Sequence, residues 1–316
     1  MPKITGLTKS ARRDEPLPTQ VPLYPMSAYT SGLRKPGHFH LLSFEEGQNE
    51  RINRFVPHCH DFFEMIWLPI GRGQVQSDLR SFPVEPRTLF FAAPGQVHSW
   101  QLTEPAEGEI VSFTHDFFMV NSENPGLFGR LPFLHANVTN PILQLNEAEG
   151  ATMDDLFRQL RAAAADPAPG RDDLVRAFVT IILTVTRRVW LRCHAGDAEI
   201  SPREGDLLAS RFRLSLEENF PHMLTVQEYA DLLHVSRSHL NEELRRQSGR
   251  SASEIIHERI LLEAKRLLVH SSLTISEIAY RLRFQDPSYF GRFFRKCTGR
   301  TPGMFRETTH RELLAG

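Results

Sequence analysis

Leu273 to Arg306 reads LTISEIAYRLRFQDPSYFGRFFRKCTGRTPGMFR. Ile275, Ile278, Ala279 and Leu282 recur at helical spacing, which predicts a short amphipathic helix over Thr274–Leu282. Ala279 is small where two helices must approach closely, and Phe284 plugs the turn that follows. Asp286-Pro287 then starts a second helix, with Asp as N-cap and Pro at the first helical position. From Pro287 to about Cys297 this helix has Phe290, Phe293 and Phe294 on one side, and Ser288, Gly291, Arg292, Arg295 and Lys296 on the others. Such a helix suits the DNA major groove, where Arg pairs bidentately with guanine and other cations hold phosphates. Arg281, Arg283, Arg292, Arg295, Lys296, Arg300 and Arg306 are opposed between Arg281 and Arg306 by Asp286 alone.

Working upstream, the same pattern occurs 49 residues earlier. Glu228-Tyr229-Ala230 matches Glu277-Ile278-Ala279, and each unit runs on to a Leu (Leu233, Leu282), a turn (His234-Val235, Arg283-Phe284), a capping residue, a helix and a Gly (Gly249, Gly299). The later unit has one extra turn residue, Gln285. A repeated helix–turn–helix is a supersecondary signal in its own right. In the earlier unit Ser236 caps a helix presenting Arg237, Ser238, His239, Asn241, Glu242 and Arg245, with Leu240 and Leu244 inward. Asn suits adenine and Glu accepts from cytosine.

These segments, VSRSHLNEELRRQSG (235–249), ILLEAKRLL (260–268) and the opening stretch, resemble the AraC/XylS DNA-binding domain from Leu224 to Arg306. The resemblance implies two helix-turn-helix units joined by a long helix, here roughly Ala252 to His270, with recognition helices in successive major grooves of double-stranded DNA. Ser238, Asn241, Glu242, Ser288 and Arg292 match the family's base-facing positions, and Arg237, Arg245, Arg283, Arg295 and Lys296 are the accompanying cations. The family usually has Gly in both turns, where φ is positive; here His234 and Arg283 stand there, at a cost of about 1 kcal/mol each. It further implies control by a small-molecule effector, most often activation, RNA polymerase as a partner, and a homodimer.

The 316 residues are enough for two domains. At 41% hydrophobic and 24% charged the chain can bury a sizeable core. From Arg203 onward the net charge is +3, against −4 before it. Cys59, Cys193 and Cys297 are scattered and odd in number, so no disulfide framework is expected and a reducing, cytoplasmic location is. The longest uncharged apolar run, Ala177–Thr186, is about half of a membrane span. Residues 1–36, Pro-punctuated and polar at the start, are expected to be a flexible arm, 37–194 an effector-binding and dimerisation domain, 195–205 a linker, and 206–316 the DNA-binding domain. The expected fold class is α+β in two domains: a cupin-like β-barrel with flanking helices, then an all-α domain with two helix-turn-helix units.

In the first half, Phe39–Phe44, Phe62–Leu68, Gly73–Ser77, Thr88–Ala92 and Glu109–Phe113 are strand candidates between turn residues, the pattern of a small all-β barrel or sandwich. Glu147–Ala165 and Asp172–His194 read as helices. In the second, Leu174, Phe178, Ile181, Val185 and Val189 share a face, to pack on the barrel or on a second subunit. His58 and His60 lie two apart on a strand and so point together; a hairpin could bring Glu64 and His98 near. The spacing H-x-H-x3-E-x6-G resembles the first cupin motif and G-x2-H the core of the second. Three readings follow: the four residues line an organic-effector pocket, hold a regulatory divalent metal, or form a metalloenzyme centre fused to a regulator. Phe55, Phe62, Trp67, Phe90 and Trp100 could wall a ligand or simply be core. No nucleophile–base pair, phosphate loop or dinucleotide fingerprint is visible, so the chain is not expected to be an enzyme.

Overall fold

The computed structural model describes residues 22–26, 38–45, 55–114, 116–117, 131–134, 140–193, 207–222 and 225–315. The strands are β1 (Leu23–Tyr24), β2 (Phe39–Ser43), β3 (Cys59–His60), β4 (Phe63–Ile70), β5 (Gly73–Ser77), β6 (Arg80–Val84), β7 (Thr88–Ala92), β8 (His98–Leu102), β9 (Glu107–Phe113) and β10 (Ile142–Gln144). They form a five-stranded sheet in the order β10-β7-β4-β9-β2, a three-stranded sheet β6-β5-β8, and a parallel β1-β3 pair.

Alternation along β4 decides which residues go where. Ile66 and Leu68 turn inward with Val75, Val84, Phe90, Ala92 and Trp100, filling the space between the two sheets. Phe63, Met65 and Trp67 turn outward, where helices α1 (Glu147–Ala165) and α2 (Arg171–Cys193) cover them through Met153, Phe157, Leu160, Val179, Ile182 and Trp190. The large sheet is therefore buried on both faces. The strand β6, which carries Pro83, pairs with β5 alone. An edge tolerates the missing N–H of proline, whereas a central strand would not.

The sequence expectations need three corrections here. On α2 the buried residues are Val175, Val179, Ile182, Leu183, Thr186, Val189 and Trp190. Leu174 and Ile181 are exposed, whereas Phe178, Val185 and Val189 pack on the core beneath, so the expected stripe lies only partly on the face that packs on the barrel. The candidate ligand walls do not converge either: Phe55 is exposed and Trp67 lies on the helix side of the sheet, donating to Asp154. Within the expected flexible arm, residues 22–26 are packed on the sensor: Leu23–Tyr24 pairs with Cys59–His60, and Met26 is buried against Phe62. The rest of the arm and the linker 195–205 lie outside the described residues.

The second half holds α3 (Leu207–Asn219), α4 (Val226–Leu232), α5 (Arg237–Ser248), α6 (Ala252–His270), α7 (Ile275–Arg281), α8 (Pro287–Thr298) and α9 (Pro302–Ala315). The repeat is physical. Thr225 caps α4 in a capping box with Glu228, and Thr274 caps α7 in one with Glu277. The second helices of the two units, α5 and α8, are capped at Ser236 and Asp286 and end at Gly249 and Gly299, both left-handed (φ 71° and 77°). Each unit has its own core, and Phe220, Phe284 and Phe293 pack against both. Leu214 of α3 and Leu262 of α6 pack on the core of the sensor half.

Candidate functional site

The recognition helices expose the expected side chains. Arg237, Ser238, Glu242 and Arg245 on α5 are solvent-exposed, as are Ser288, Arg292, Arg295 and Lys296 on α8. Phe290 and Phe294 fix α8 from beneath, and the Arg292 guanidinium lies 5.8 Å from the Tyr289 ring centroid. Asn241 is placed differently from the rest. Its Nδ2 donates to Arg237 O (3.0 Å), and its Oδ1 accepts the Ala252 N–H (3.0 Å). One end of the amide thus serves α5 itself, and the other its junction with α6. His234 and Arg283 adopt φ 57° and 64°, the left-handed conformation expected where the family has Gly. Arg283 is exposed, with Nη2 2.9 Å from His222 Nδ1.

In the sensor half, β3, β4 and β8 bring His58, His60, Glu64 and His98 together, each at most 1% exposed. His58 bridges to His98 through backbone bonds in both directions (3.1 and 2.9 Å). The ring centroids are 4.3 Å apart for His58 and His98, and 5.0 Å for His60 and His98. Glu64 Oε2 lies 3.3 Å from His98 Nε2 and 3.6 Å from His60 Nε2. Phe62 stacks on His60 at 4.1 Å, and Tyr24 meets the His58 ring edge-on at 5.8 Å.

The outer nitrogens decide the chemistry. Nδ1 of His58, His60 and His98 each faces a backbone carbonyl, of Val56 (3.0 Å), Phe62 (2.9 Å) and Gln96 (3.1 Å). A carbonyl only accepts, so Nδ1 carries the proton in all three rings, and in the neutral imidazole the Nε2 lone pair turns inward. These three Nε2 atoms are buried without a hydrogen-bond partner. Burial lowers the His58 pKa to about 2, helped by His98, and lowers that of His60 against the opposing pull of Glu64. The lone pairs of His60 and His98 and a Glu64 carboxylate oxygen therefore converge, with the buried His58 ring beside them. Buried polar groups normally find partners, and a bound cation would relieve such a set. The donor atoms of His60, Glu64 and His98 lie within 4.8 Å of one another, and imidazole–carboxylate sets of this kind suit first-row divalent metals. The residues present fit such an ion.

Sequence reasoning found all four of these residues. It named Phe62 as a candidate wall, and it missed Tyr24 as a cover of the site, and Gln96, whose amide bonds Ser77 Oγ (2.8 Å) and the Ala93 N–H (3.0 Å) to shape the turn before His98. No spacing signal marks a lone Gln in a turn. A groove with a volume of about 590 Å³ lies elsewhere, on the barrel edge, lined among others by Arg72, Phe82, Arg87, Ile142 and Gln144.

Two family models match: an AraC-like ligand binding domain over residues 46–175 and a helix-turn-helix domain over residues 229–308. The HTH-type transcriptional activator RhaR of Escherichia coli (strain K12) is 21% identical over 253 residues, spanning 80% of this chain and 87% of that protein. The HTH-type transcriptional regulator YfiF of Bacillus subtilis (strain 168) is 23% identical over 251 residues, spanning 79% and 78%. Among solved structures, the C-terminal domain of AraT, a response regulator from Geobacillus stearothermophilus, is 28% identical, with a TM-score of 0.31, over 32% of this chain and 84% of that one. With a ligand-binding domain matched ahead of a helix-turn-helix domain, this chain belongs to the AraC family and is a DNA-binding transcription regulator.

Proposed function

We propose that this regulator senses a divalent first-row metal held by His58, His60, Glu64 and His98. The observation that carries the reading is the set of three partnerless Nε2 atoms, each fixed as a lone pair by a carbonyl behind its ring. A carbonyl behind each ring is also what orients metal-ligating histidines. Bound there, the ion would supply the positive charge that this pocket lacks. His58 and His60 come from the β3 segment and His98 from β8, two segments already bridged backbone to backbone, so loading fixes β3 and β8 against each other. The role is regulatory rather than catalytic, and transcription is activated through RNA polymerase in the cytoplasm. No helix among the described residues is long and apolar enough to cross a membrane. Ser238, Glu242, Ser288 and Arg292 read bases, while Arg237, Arg245, Arg283, Arg295 and Lys296 hold phosphates; Asn241 reaches a base only by giving up its bond to Ala252. The exposed stripe of α2 around Leu174 and Ile181 pairs two subunits.

A second reading is favoured by the edge groove, whose Arg72 and Arg87 beside Phe82 and Ile142 suit a small organic anion with an apolar body. Elemental analysis of tag-free protein purified without chelator separates the two. Near-stoichiometric metal that disappears in His58→Ala/His60→Ala supports the metal sensor. Metal-free wild-type protein that takes up none on addition of zinc excludes it and leaves the organic effector.

A further inference from the structure

One contact joins the His cluster to the DNA-binding half. Asp78 stands in the turn between β5 and β6, one residue beyond Ser77, which pairs with His98 in the sheet. Its N–H donates to Val97 O (2.7 Å), and its Oδ1 accepts the Val97 N–H (3.3 Å), so the turn is strapped to the residue before His98. Asp78 adopts φ 52°, a conformation that Asp and Asn tolerate better than most side chains. Its carboxylate faces away from the cluster and takes a two-pronged contact from α6: Arg266 Nε to Oδ1 (2.6 Å) and Nη2 to Oδ2 (3.0 Å). The Arg266 side chain is 4% exposed. Gly95 lies beside it, with Arg266 Nη1 only 3.6 Å from where a Cβ would stand. Gly95 N–H in turn donates to His60 O (2.8 Å). The guanidinium thus lies beside the 94–98 segment that carries His98, which is itself bonded to the 58–60 segment through Gly95 and His60.

We propose that Asp78 and Arg266 form a latch that docks the DNA-binding half on the sensor and makes that docking respond to occupation of the His cluster. This rests on the metal reading above. Holding His60 and His98 against each other fixes the 94–98 turn, and through Val97 it fixes the Asp78 carboxylate in the orientation that α6 requires. The helix α6 is the one that joins both helix-turn-helix units, so docking it sets both recognition helices at once. A site loaded in the docked form must, by linkage, bind metal more tightly when docked than when free.

The test uses the full chain with cobalt(II), whose visible spectrum reports its ligands, and an operator fragment obtained by selection. Two variants remove the latch differently. Asp78→Asn keeps the turn and removes the carboxylate that clasps the guanidinium, leaving it Glu263 of its own helix at 3.7 Å; Arg266→Met removes the charge but keeps an apolar stem. Cobalt is expected to change wild-type DNA affinity by about 5- to 150-fold, the usual span of allosteric coupling. In both variants that ratio should fall toward one while the cobalt spectrum stays unchanged. Variants that respond to cobalt as wild type does, or a wild type that binds cobalt with no change in DNA affinity, would overturn the latch and leave the metal site standing. If wild type binds no cobalt, the metal reading has failed and its link to the latch fails with it. Small-angle scattering of the metal-free proteins then decides the docking itself: a larger radius of gyration in both variants retains it as a contact between the halves, and an unchanged one removes it.

Discussion

Arg292 is exposed in the second turn of α8, held by a helix whose phenylalanines are locked into the core. Arg292→Ala should cost about 1–3 kcal/mol of specific binding and relax the preference at one base pair. A binding selection that returns an unchanged sequence preference would remove it from base readout. Arg283 makes a different argument, since it occupies a left-handed position that Gly fills without Cβ strain. Arg283→Gly relieves about 1 kcal/mol of that strain, partly offset by the greater freedom of Gly in the unfolded chain. The variant should melt no lower than wild type, yet bind every DNA sequence more weakly, with a salt dependence shallower by about one ion. Unaltered salt dependence would assign Arg283 to the His222 contact alone. The positive φ at this position was legible from a motif offset. The double hydrogen bonding of Asn241 was not, because its partner Ala252 lies across a turn whose geometry no local pattern encodes.

Elements were legible where one periodicity dominated and illegible where two competed. The capped helix α1 spans the residues that periodicity indicates, 147–165, because an N-cap side chain and a clean apolar stripe agree, and the capped helix α6 spans those that the family resemblance implies, 252–270. Apolar residues on α2 occupy two adjacent stripes. Val175, Val179, Ile182 and Thr186 face the sheet, and Leu174 and Ile181, one position earlier in each turn, face out. Spacing alone gives both stripes equal weight, and only the curvature of the sheet chooses between them. The strands β6, β8 and β10 escaped for related reasons: Pro83 argues against a strand except at an edge, HSWQL is half polar, and three residues are too few to show alternation. The outward stripe carries its own prediction. Ile181→Glu should shift the protein toward monomer in sedimentation velocity, with a change in folding stability within about 0.5 kcal/mol, as befits an exposed site. An unchanged oligomeric state would place the subunit contact elsewhere.

At the scale of the molecule, the two halves were each readable but their meeting was not. Asp78 and Arg266 are 188 residues apart, and each looks by itself like an ordinary surface charge. Their burial is a property of docking, and docking brings a titratable neighbour with it. His270, at the end of α6, is largely buried, and burial lowers its pKa to about 4. Of the charged groups around it, Asp78 on the sensor favours the protonated ring, while Arg266 on α6 and His310 on α9 oppose it. Between about pH 6.5 and 4 the unfolded chain therefore holds a proton at His270 that the folded chain excludes. Stability is untouched above that window and falls as pH falls through it. His58 and His60 act in the same direction, so the useful quantity is the difference between wild type and His270→Gln. From pH 7.5 to 5.5 the wild-type Tm should drop further than that of the variant, by about 2–4 °C for a chain of this size. Parallel pH profiles would mean that His270 reaches water in the folded protein, and that the docked interface is more open than its buried ion pair implies.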